Sequence, residues 1–183
     1  MPAGIPLETV ISIIQNLDNR MLKPIDLTVL AFLRTELRDT GWTQVQVASG
    51  LQISQSGVHR ALQQLEVSGL MGRHDRPFRD LLVHAVRHVY PPVLGAPTAG
   101  VPTAGGHPSL TGYLPDTEAL IWPLEAGEGN GTALQPLHPC VPTAALHNPR
   151  FYELMALIDV LRVGRVRERA TATWRLDAML GLS

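Results

Sequence analysis

Proline and glycine are concentrated in one central stretch, and that stretch limits where this chain can form long helices. Residues 90–149 hold 11 of the 15 prolines and 8 of the 16 glycines, whereas apolar residues on either side follow helical spacing. Proline breaks a helix interior and glycine weakens it. The sequence therefore predicts a mainly α protein with three segments, namely residues 1–89, 90–149 and 150–183.

The central segment is expected to be an ordered coil that contains little β-structure. The word PTAG occurs at 97–100 and 102–105, and VPTA at 101–104 and 141–144, which is too few copies for a repeat protein. Both words indicate extended, turn-rich backbone. Residues 118–124 predict a short strand, which Pro123 places at a sheet edge. The scattered apolar side chains argue against a solvated linker, so we expect packing on the helices or on a second subunit.

Composition excludes several classes of protein. The chain has 183 residues, of which 45% are hydrophobic, enough for a real core. Its net charge of −1 does not suit a protein that coats nucleic acid, so any DNA contact must come from a local basic patch. A single cysteine, Cys140, excludes an internal disulfide. With neither a signal-peptide pattern nor an apolar run of membrane-spanning length, we expect a cytoplasmic protein without a membrane partner.

Helical spacing predicts helices in both outer segments. In the first segment, helices are expected at residues 7–18, from Asp26 as N-cap to a point before Gly41, and at residues 77–89. In the last segment, Asn148 and Pro149 predict the start of a helix. Its stripe from Phe151 to Leu161 is interpreted as core or dimer interface. A final helix over 165–180 is expected to turn these residues inward: Val166, Ala170, Trp174, and Leu176 or Met179.

The pattern of residues 43–71 is the most informative one about function. The sequence predicts a helix at Thr43–Ser49, a tight turn at Gly50–Ile53 and a second helix capped by Ser54. A crossing of the two helices would bury apolar residues of both: Val47, Leu51, Ile53, Val58, Leu62 and Leu65. The opposite face of the second helix is polar but almost uncharged: Gln55, Ser56, His59, Arg60 and Gln63. Amides, hydroxyls and arginine are the groups that pair with base edges in the DNA major groove.

The stretch ISQSGVHRALQQLEVSGLM resembles the recognition helix of winged helix-turn-helix regulators of the MarR and Lrp type. In that family a Ser-x-Ser-x-Val-x-Arg-x-Leu-x-x-Leu pattern precedes Gly-Leu, and this chain matches it from Ser54 to Leu70. The resemblance implies a helix-turn-helix DNA-binding domain over 1–89 and a homodimer whose terminal helices, 7–18 and 150–162, pair. It implies base reading and phosphate contacts by these residues: Ser54, Gln55, Ser56, Gly57, His59, Arg60, Gln63, Arg73, Arg76 and Arg79.

The chain departs from the family pattern at three places. Gln52 occupies a turn position that often holds glycine, so a non-glycine residue is expected to adopt an unusual backbone angle. Gly57 lies inside the recognition helix, where glycine costs roughly 0.5–1 kcal/mol against alanine. After Leu70 the sequence turns helical near Pro77, so the wing is expected to be a short basic loop over 73–79. Residues 54–89 have a net charge of +2, which favours a dimer on two half-sites.

The sequence therefore predicts a homodimeric, sequence-specific transcriptional regulator, more plausibly a repressor than an activator. The central segment is expected either to brace the dimer or to form a pocket for a small-molecule or protein effector, with Trp122 and Tyr113 as pocket lining. The alternative is an antitoxin-like or defence-linked protein that binds a partner protein and autoregulates its operon. An enzyme with an appended helix-turn-helix is disfavoured, because no catalytic motif is present.

Weaker patterns receive structural interpretations. His84 and His88 have a spacing that zinc accepts, but the chain lacks an HExxH or CxxC motif, so no metal and no cofactor are predicted. Cys140 is interpreted as a small core residue. Four arginines lie close together in the tract LRVGRVRER: Arg162, Arg165, Arg167 and Arg169. They could hold a phosphate, an anionic effector or a DNA backbone, but a solvated helix face with Glu168 and Asp177 as partners is the favoured interpretation.

Overall fold

The computed structural model describes residues 21–38, 41–113 and 119–182, so the helix predicted at 7–18 lies outside the described residues. The described chain is mainly helical with one small sheet, as predicted. The N-terminal elements are α1 (Pro24–Thr35), α2 (Gln44–Leu51), α3 (Gln55–Val67), α4 (Arg76–Asp80), a π-helical turn (Leu81–Ala85) and α5 (Val86–Val89). They are followed by β1 (Leu94–Thr103), a 3₁₀ turn (Ala104–Gly106), β2 (Leu120–Pro123), β3 (Gly129–Leu134), α6 (Val141–His147), α7 (Pro149–Val163) and α8 (Val166–Leu180).

Helix α7 is the centre of the packing. Its residues from Leu154 to Arg162 are all buried, and it contacts α1, α5, α6, α8 and strand β1. Apolar side chains from all three predicted segments join one contiguous core around it. Between the two interpretations of the 151–161 stripe, core is therefore confirmed. A helix that its own chain covers on every side cannot also pair with a second subunit.

A buried ion pair joins α7 to the sheet. Asp159 accepts from the Arg162 guanidinium at 2.6 Å, from Trp122 Nε1 at 2.6 Å and from Thr103 Oγ1 at 2.8 Å. Arg162 Nε also donates to the Tyr90 carbonyl oxygen at 2.9 Å. The solvated interpretation of the arginine tract is thus wrong for Arg162, whose side chain is only 4% exposed. The counter-charge that offsets the cost of burying Arg162 is Asp159, which lies one helical turn away on the same face of α7.

The three strands form a closed sheet in which each strand pairs with both others. Strand β1 runs antiparallel to β2 and β3, which are parallel to each other. So small a closed sheet needs glycine: a Cβ on Gly100 would lie 1.9 Å from the Trp122 carbonyl oxygen, and one on Gly131 would lie 2.1 Å from that of Ala119. The coil prediction for 90–149 was therefore incomplete. Glycine was interpreted as a turn signal, whereas here it allows backbones to approach.

The two copies of VPTA adopt different structures. Residues 101–104 end strand β1, whereas residues 141–144 form the first turn of α6. The extended interpretation is wrong for the second copy, because Pro142 lies in the first helical turn, where its missing N–H is not needed. The strand predicted at 118–124 is confirmed as β2. Its position differs from the prediction, because β2 is flanked on both sides and only its last two residues, Trp122 and Pro123, pair with β1 alone.

Two helix predictions need correction. Lys23, not Asp26, is the N-cap of α1, because Pro24 starts the helical backbone three residues earlier than a cap at Asp26 would. The Asp26 carboxylate instead accepts from Lys23 N at 2.7 Å. Helix α1 ends at Thr35, short of the predicted end. In α8 the prediction is confirmed for Leu176, which is buried together with Glu168, Ala172 and Leu180. It is wrong for Val166, Ala170 and Trp174, which are exposed on the opposite side.

We predict that Asp159→Asn lowers the free energy of unfolding by about 3–5 kcal/mol, because it leaves the buried Arg162 guanidinium without a counter-charge. Urea unfolding at pH 7 measures this. Glu153→Gln is the matched control: Glu153 pairs with Arg175 at 2.6 Å, but both side chains are partly exposed, so a loss of ~0–1 kcal/mol is expected. Equal losses for the two variants would contradict a special role for the buried pair.

A second prediction concerns pH. His107 packs against the Tyr152 ring with 4.1 Å between ring centroids, and its Nδ1 accepts from Ser109 N at 3.1 Å. Burial lowers its pKa to about 4. Since the unfolded chain binds this proton more readily, the stability that His107 contributes is complete above pH 6.5 and is lost as pH falls towards 4. The free energy of unfolding should therefore fall less steeply between pH 7 and 4 in His107→Asn than in the wild type; an unchanged slope would assign the titration to another group.

Candidate nucleic-acid interface

The segment from Thr43 to Val67 forms two helices joined by a tight turn. Thr43 and Gln46 cap α2 reciprocally: Thr43 Oγ1 accepts from Gln46 N at 3.3 Å, and Gln46 Oε1 accepts from Thr43 N at 2.8 Å. The helix ends at Gln52, which has left-handed backbone angles of φ 54° and ψ 43°. The unusual backbone angle predicted for Gln52 is confirmed.

Helix α2 ends two residues later than predicted, because Gly50 and Leu51 belong to it and not to the turn. A Cβ on Gly50 would lie 2.3 Å from Cζ of Phe32, whose ring is buried and packs edge-on against Phe151. Glycine at this point therefore lets α2 rest directly on an aromatic ring of α1. The sequence gives no sign of this contact, since a glycine so close to the turn has the same pattern as a glycine within it.

Helix α3 has the two faces that the sequence predicted. Ser54 caps it by accepting from Gly57 N at 3.1 Å. Its aliphatic face is buried against α1 and α2: Val58, Ala61, Leu62 and Leu65. Val47 and Leu51 of α2 are also buried, and Ile53 in the turn is half-buried. The crossing expected from the apolar pattern is thus present.

The opposite face of α3 is open to solvent. Gln55, Ser56, His59, Arg60 and Gln63 are exposed, and Gly57 is half-buried. The side-chain contacts on this face are long: Arg60 Nε to the Ser56 carbonyl oxygen at 3.3 Å, and Gln44 Nε2 to His59 Nδ1 at 3.4 Å. A face of amides, hydroxyls and one arginine is thereby available to an outside partner.

The loop after α3 is held by a buried carboxylate. Asp75 pairs with Arg34 at 2.9 Å and with Arg38 at 2.8 Å, and its side chain is 3% exposed. Arg34 also donates to the Gly72 carbonyl oxygen at 2.7 Å. Residues 68–93 contain turns and helix but no strand, so the hairpin wing of the resembled family is absent there. A short loop lies in its place, with the exposed Arg73 and Arg76 beside it.

Arg79 differs from the other two arginines of this region. It forms a two-pronged contact with Asp177 of α8, from Nε at 2.7 Å and from the second terminal nitrogen at 2.9 Å, and it also contacts Asp80 at 3.3 Å. The Arg79 guanidinium lowers the pKa of the Asp177 carboxyl, and the carboxylates raise the pKa of Arg79 in turn. Arg79 therefore connects α4 to α8, and Arg73 and Arg76 are the arginines of this loop that face solvent.

A groove of about 910 Å³ runs along one side of α3. Four exposed residues of α3 line it: Arg60, Gln63, Glu66 and Val67. The rest of its wall comes from the start of α1, the turn, the buried and half-buried residues of α3 and the loop before α6: Met21, Lys23, Ile25, Asp26, Ile53, Ser54, Gly57, Ala61, Gln64 and His138. The predicted effector pocket is different. Trp122 is fully buried on Asp159, whereas Tyr113 is exposed beneath Arg175, so these two do not line a pocket together.

The remaining candidate groups lie away from this face. Cys140 Sγ is 3.0 Å from His138 Nδ1, but burial raises the pKa of the thiol to about 12, so it stays protonated at neutral pH. His84 and His88 are both exposed. Within residues 21–38, 41–113 and 119–182, no three His, Cys, Asp or Glu side chains are arranged to hold a metal ion. No helix in the same ranges has the length and apolar character of a membrane span.

We predict opposite effects for two substitutions around the turn. Gln52→Gly should raise the free energy of unfolding by ~0.5–1 kcal/mol, because glycine adopts φ 54° without the Cβ clash. Gly50→Ala should lower it by ~1–3 kcal/mol, because the new methyl group displaces the Phe32 ring. Thermal unfolding followed by circular dichroism measures both. A stabilising Gly50→Ala would show that the ring moves aside freely.

The α2–turn–α3 unit, its open polar face and the two exposed arginines of the following loop are the features that bear on function. They were obtained from this chain's own residues and geometry. No family model, no curated protein and no solved structure matches this chain.

Proposed function

We propose that this protein is a sequence-specific DNA-binding transcriptional regulator that acts as a repressor. One observation supports this most directly: α3 buries its aliphatic side on α1 and α2 and turns Gln55, His59 and Arg60 outward. A surface helix that needed only to be solvated would more commonly present lysine and glutamate. Amide and imidazole groups on an exposed helix are better explained by a partner with a pattern of donors and acceptors.

The major groove of DNA is such a partner. Helix α3 has 13 residues, so it is about 20 Å long, and its diameter suits a groove about 12 Å wide. Gln55 and Ser56 lie at its N-terminus, which recognition helices direct towards base edges. Arg60 can pair with guanine through two hydrogen bonds, and Gln63 can pair with adenine in the same way.

Phosphate contacts come from the edges of the same face. Ser54 caps α3, so the first-turn N–H groups and the positive end of the helix dipole meet an approaching phosphate. Arg73 and Arg76 supply positive charge from the neighbouring loop. Arg79 is left out of this set, because Asp177 already occupies its guanidinium. Because this face has so few free cations, a single copy binds DNA weakly. A dimer on two half-sites binds more tightly, because both copies contribute contacts.

The groove along α3 gives the proposed regulator a site for an effector. Arg60 and Gln63 line the groove and also belong to the proposed base-reading set. A small molecule or peptide bound there would compete with DNA for the same side chains. Binding of the effector and binding of DNA would then be negatively coupled, as the control of a repressor requires.

We predict that Arg60→Ala weakens binding to the preferred DNA sequence by ~1–3 kcal/mol, or about 5- to 150-fold, and relaxes the preference at one base position. The preferred sequence is obtained first, by selecting bound duplexes from a random pool with the purified wild-type chain. Affinities then follow from fluorescence anisotropy at several salt concentrations. Wild-type affinity should fall steeply with salt, since phosphates release counterions.

Two controls distinguish base recognition by Arg60 from a sequence-independent effect of positive charge. Arg73→Ala should weaken binding to all sequences by a similar factor and reduce the salt dependence, because it removes a phosphate contact. Arg150→Ala removes an exposed arginine outside the α2–turn–α3 unit and should leave binding unchanged. If selection enriches no sequence, or if Arg60→Ala binds the selected duplex like the wild type, the proposal for α3 fails.

A further inference from the structure

Helix α8 has an exposed apolar stripe along its outer side. Val166, Ala170, Trp174 and Ala178 recur every four residues and are all exposed, Val166 by 74% and Trp174 by 59%. This spacing places them along one side of the helix. The opposite side is the one packed in the core. An exposed indole and an exposed valine aligned on one helix are the mark of a surface that binds another protein.

Several polar groups beside this stripe are already engaged within the chain, whereas Arg167 lies exposed among its residues. Thr171 Oγ1 donates to the Arg167 carbonyl oxygen at 3.2 Å, and Thr173 Oγ1 donates to that of Arg169 at 2.8 Å. Arg175 pairs with Glu153 and lies 4.8 Å above the centre of the Tyr113 ring. Apart from the Arg167 guanidinium, covering the stripe would strand few donors or acceptors, and stranding them is the main cost of burying a protein surface.

We propose that the stripe pairs with the same stripe of a second copy, the two α8 helices running antiparallel about a two-fold axis at Ala172. In that arrangement, two opposed residues lie the same number of positions before and after Ala172 in their own helices. Trp174 therefore faces Ala170 of the partner subunit, and Val166 faces Ala178 of the partner subunit. The largest side chain of the stripe meets a small one twice, which makes the surface complementary to itself, as a two-fold interface must be.

The size of this surface predicts a weak dimer. Helix α8 has 15 residues and is about 22 Å long, so one helix per copy buries an area at or below the roughly 1,200 Å² minimum of stable complexes. The fraction of dimer should therefore depend on protein concentration in the accessible range. Two half-sites on one DNA duplex would strengthen the pairing, because they hold the two copies close together.

The position of α8 connects this pairing to the proposed DNA face. Its Asp177 holds Arg79, and the Leu180 carbonyl oxygen accepts from Arg38 at 3.0 Å, so α8 is fixed to the elements on both sides of α3. A two-fold axis through α8 would then set the distance between two α3 helices. The proposal takes from the proposed function only the expectation of a second copy. Its test contains no DNA, so either proposal can fail without the other.

Sedimentation equilibrium of the full chain over a wide concentration range tests the pairing. The wild type should show a monomer–dimer equilibrium. Trp174→Ala should weaken association by about tenfold or more, because it removes the central side chain of the interface. Ala170→Trp should also weaken it, because two indoles would then collide at each contact. The double variant with Ala170→Trp and Trp174→Ala exchanges the large and small positions and should restore association.

Val67→Ala is the matched control, since Val67 of α3 is as exposed as Val166 but lies outside the stripe; its association should equal that of the wild type. Circular dichroism and thermal unfolding confirm that each variant folds. If Ala170→Trp does not fold, the self-association of Trp174→Ala and Val166→Ser tests the proposal instead, and both variants should associate more weakly than the wild type. A wild-type monomer at every concentration, stronger association of Ala170→Trp, or no recovery in the double variant would each overturn the proposal.

Discussion

The buried carboxylate of Asp159 is the interaction on which the arrangement of this protein depends. Burial alone raises the pKa of this carboxyl, and the Arg162 guanidinium opposes the rise together with the Thr103 and Trp122 donors. Those donors belong to β1, β2 and α7, and Arg162 continues to the backbone at Tyr90. One charged group thereby fixes the closed sheet, the end of the α4–α5 segment and the central helix to one another. Hydrophobic burial holds these elements together without direction, whereas this network defines their register.

A second buried carboxylate fixes the proposed DNA-binding face of α3 in a similar way. Helix α7 is the surface on which α1 packs, and Phe32 of α1 in turn supports α2 at Gly50. Asp75 then pairs with Arg34 and Arg38, so the loop after α3 is tied back to α1 and to the residues that follow it. The outward face of α3 is therefore presented by a scaffold that is fixed on both sides. Base reading requires this, since small displacements spoil hydrogen-bond geometry.

Local patterns predicted the elements whose cause is local. Val58, Leu62 and Leu65 show helical spacing, Ser54 is a good cap, and Gln52 occupies a turn position, so α3 and its turn were predictable from the sequence. The failures have tertiary causes. One copy of VPTA ends a strand and the other starts a helix, because proline is compatible with both and the neighbours decide. Trp174 was expected inside on account of its apolar character, whereas the side that α7 covers is the one with Ala172 and Leu176. Arg162 looked solvated because its distant partners, Tyr90 and the sheet, are invisible in a local window.

The two exposed helix faces differ in one physical respect, and that difference indicates two kinds of partner. On α3 the outward groups are polar, and among the described residues Gln55 and Gln63 show no internal side-chain hydrogen bond, so they favour a ligand that supplies donors and acceptors. On α8 the stripe is apolar and several of its polar neighbours are already paired, so it favours a ligand that supplies shape and apolar area. DNA meets the first requirement and a second copy of the chain meets the second. Because Asp177 of α8 binds Arg79 close to the loop after α3, the two surfaces belong to one rigidly connected part of the fold, and occupation of one bears directly on the geometry of the other.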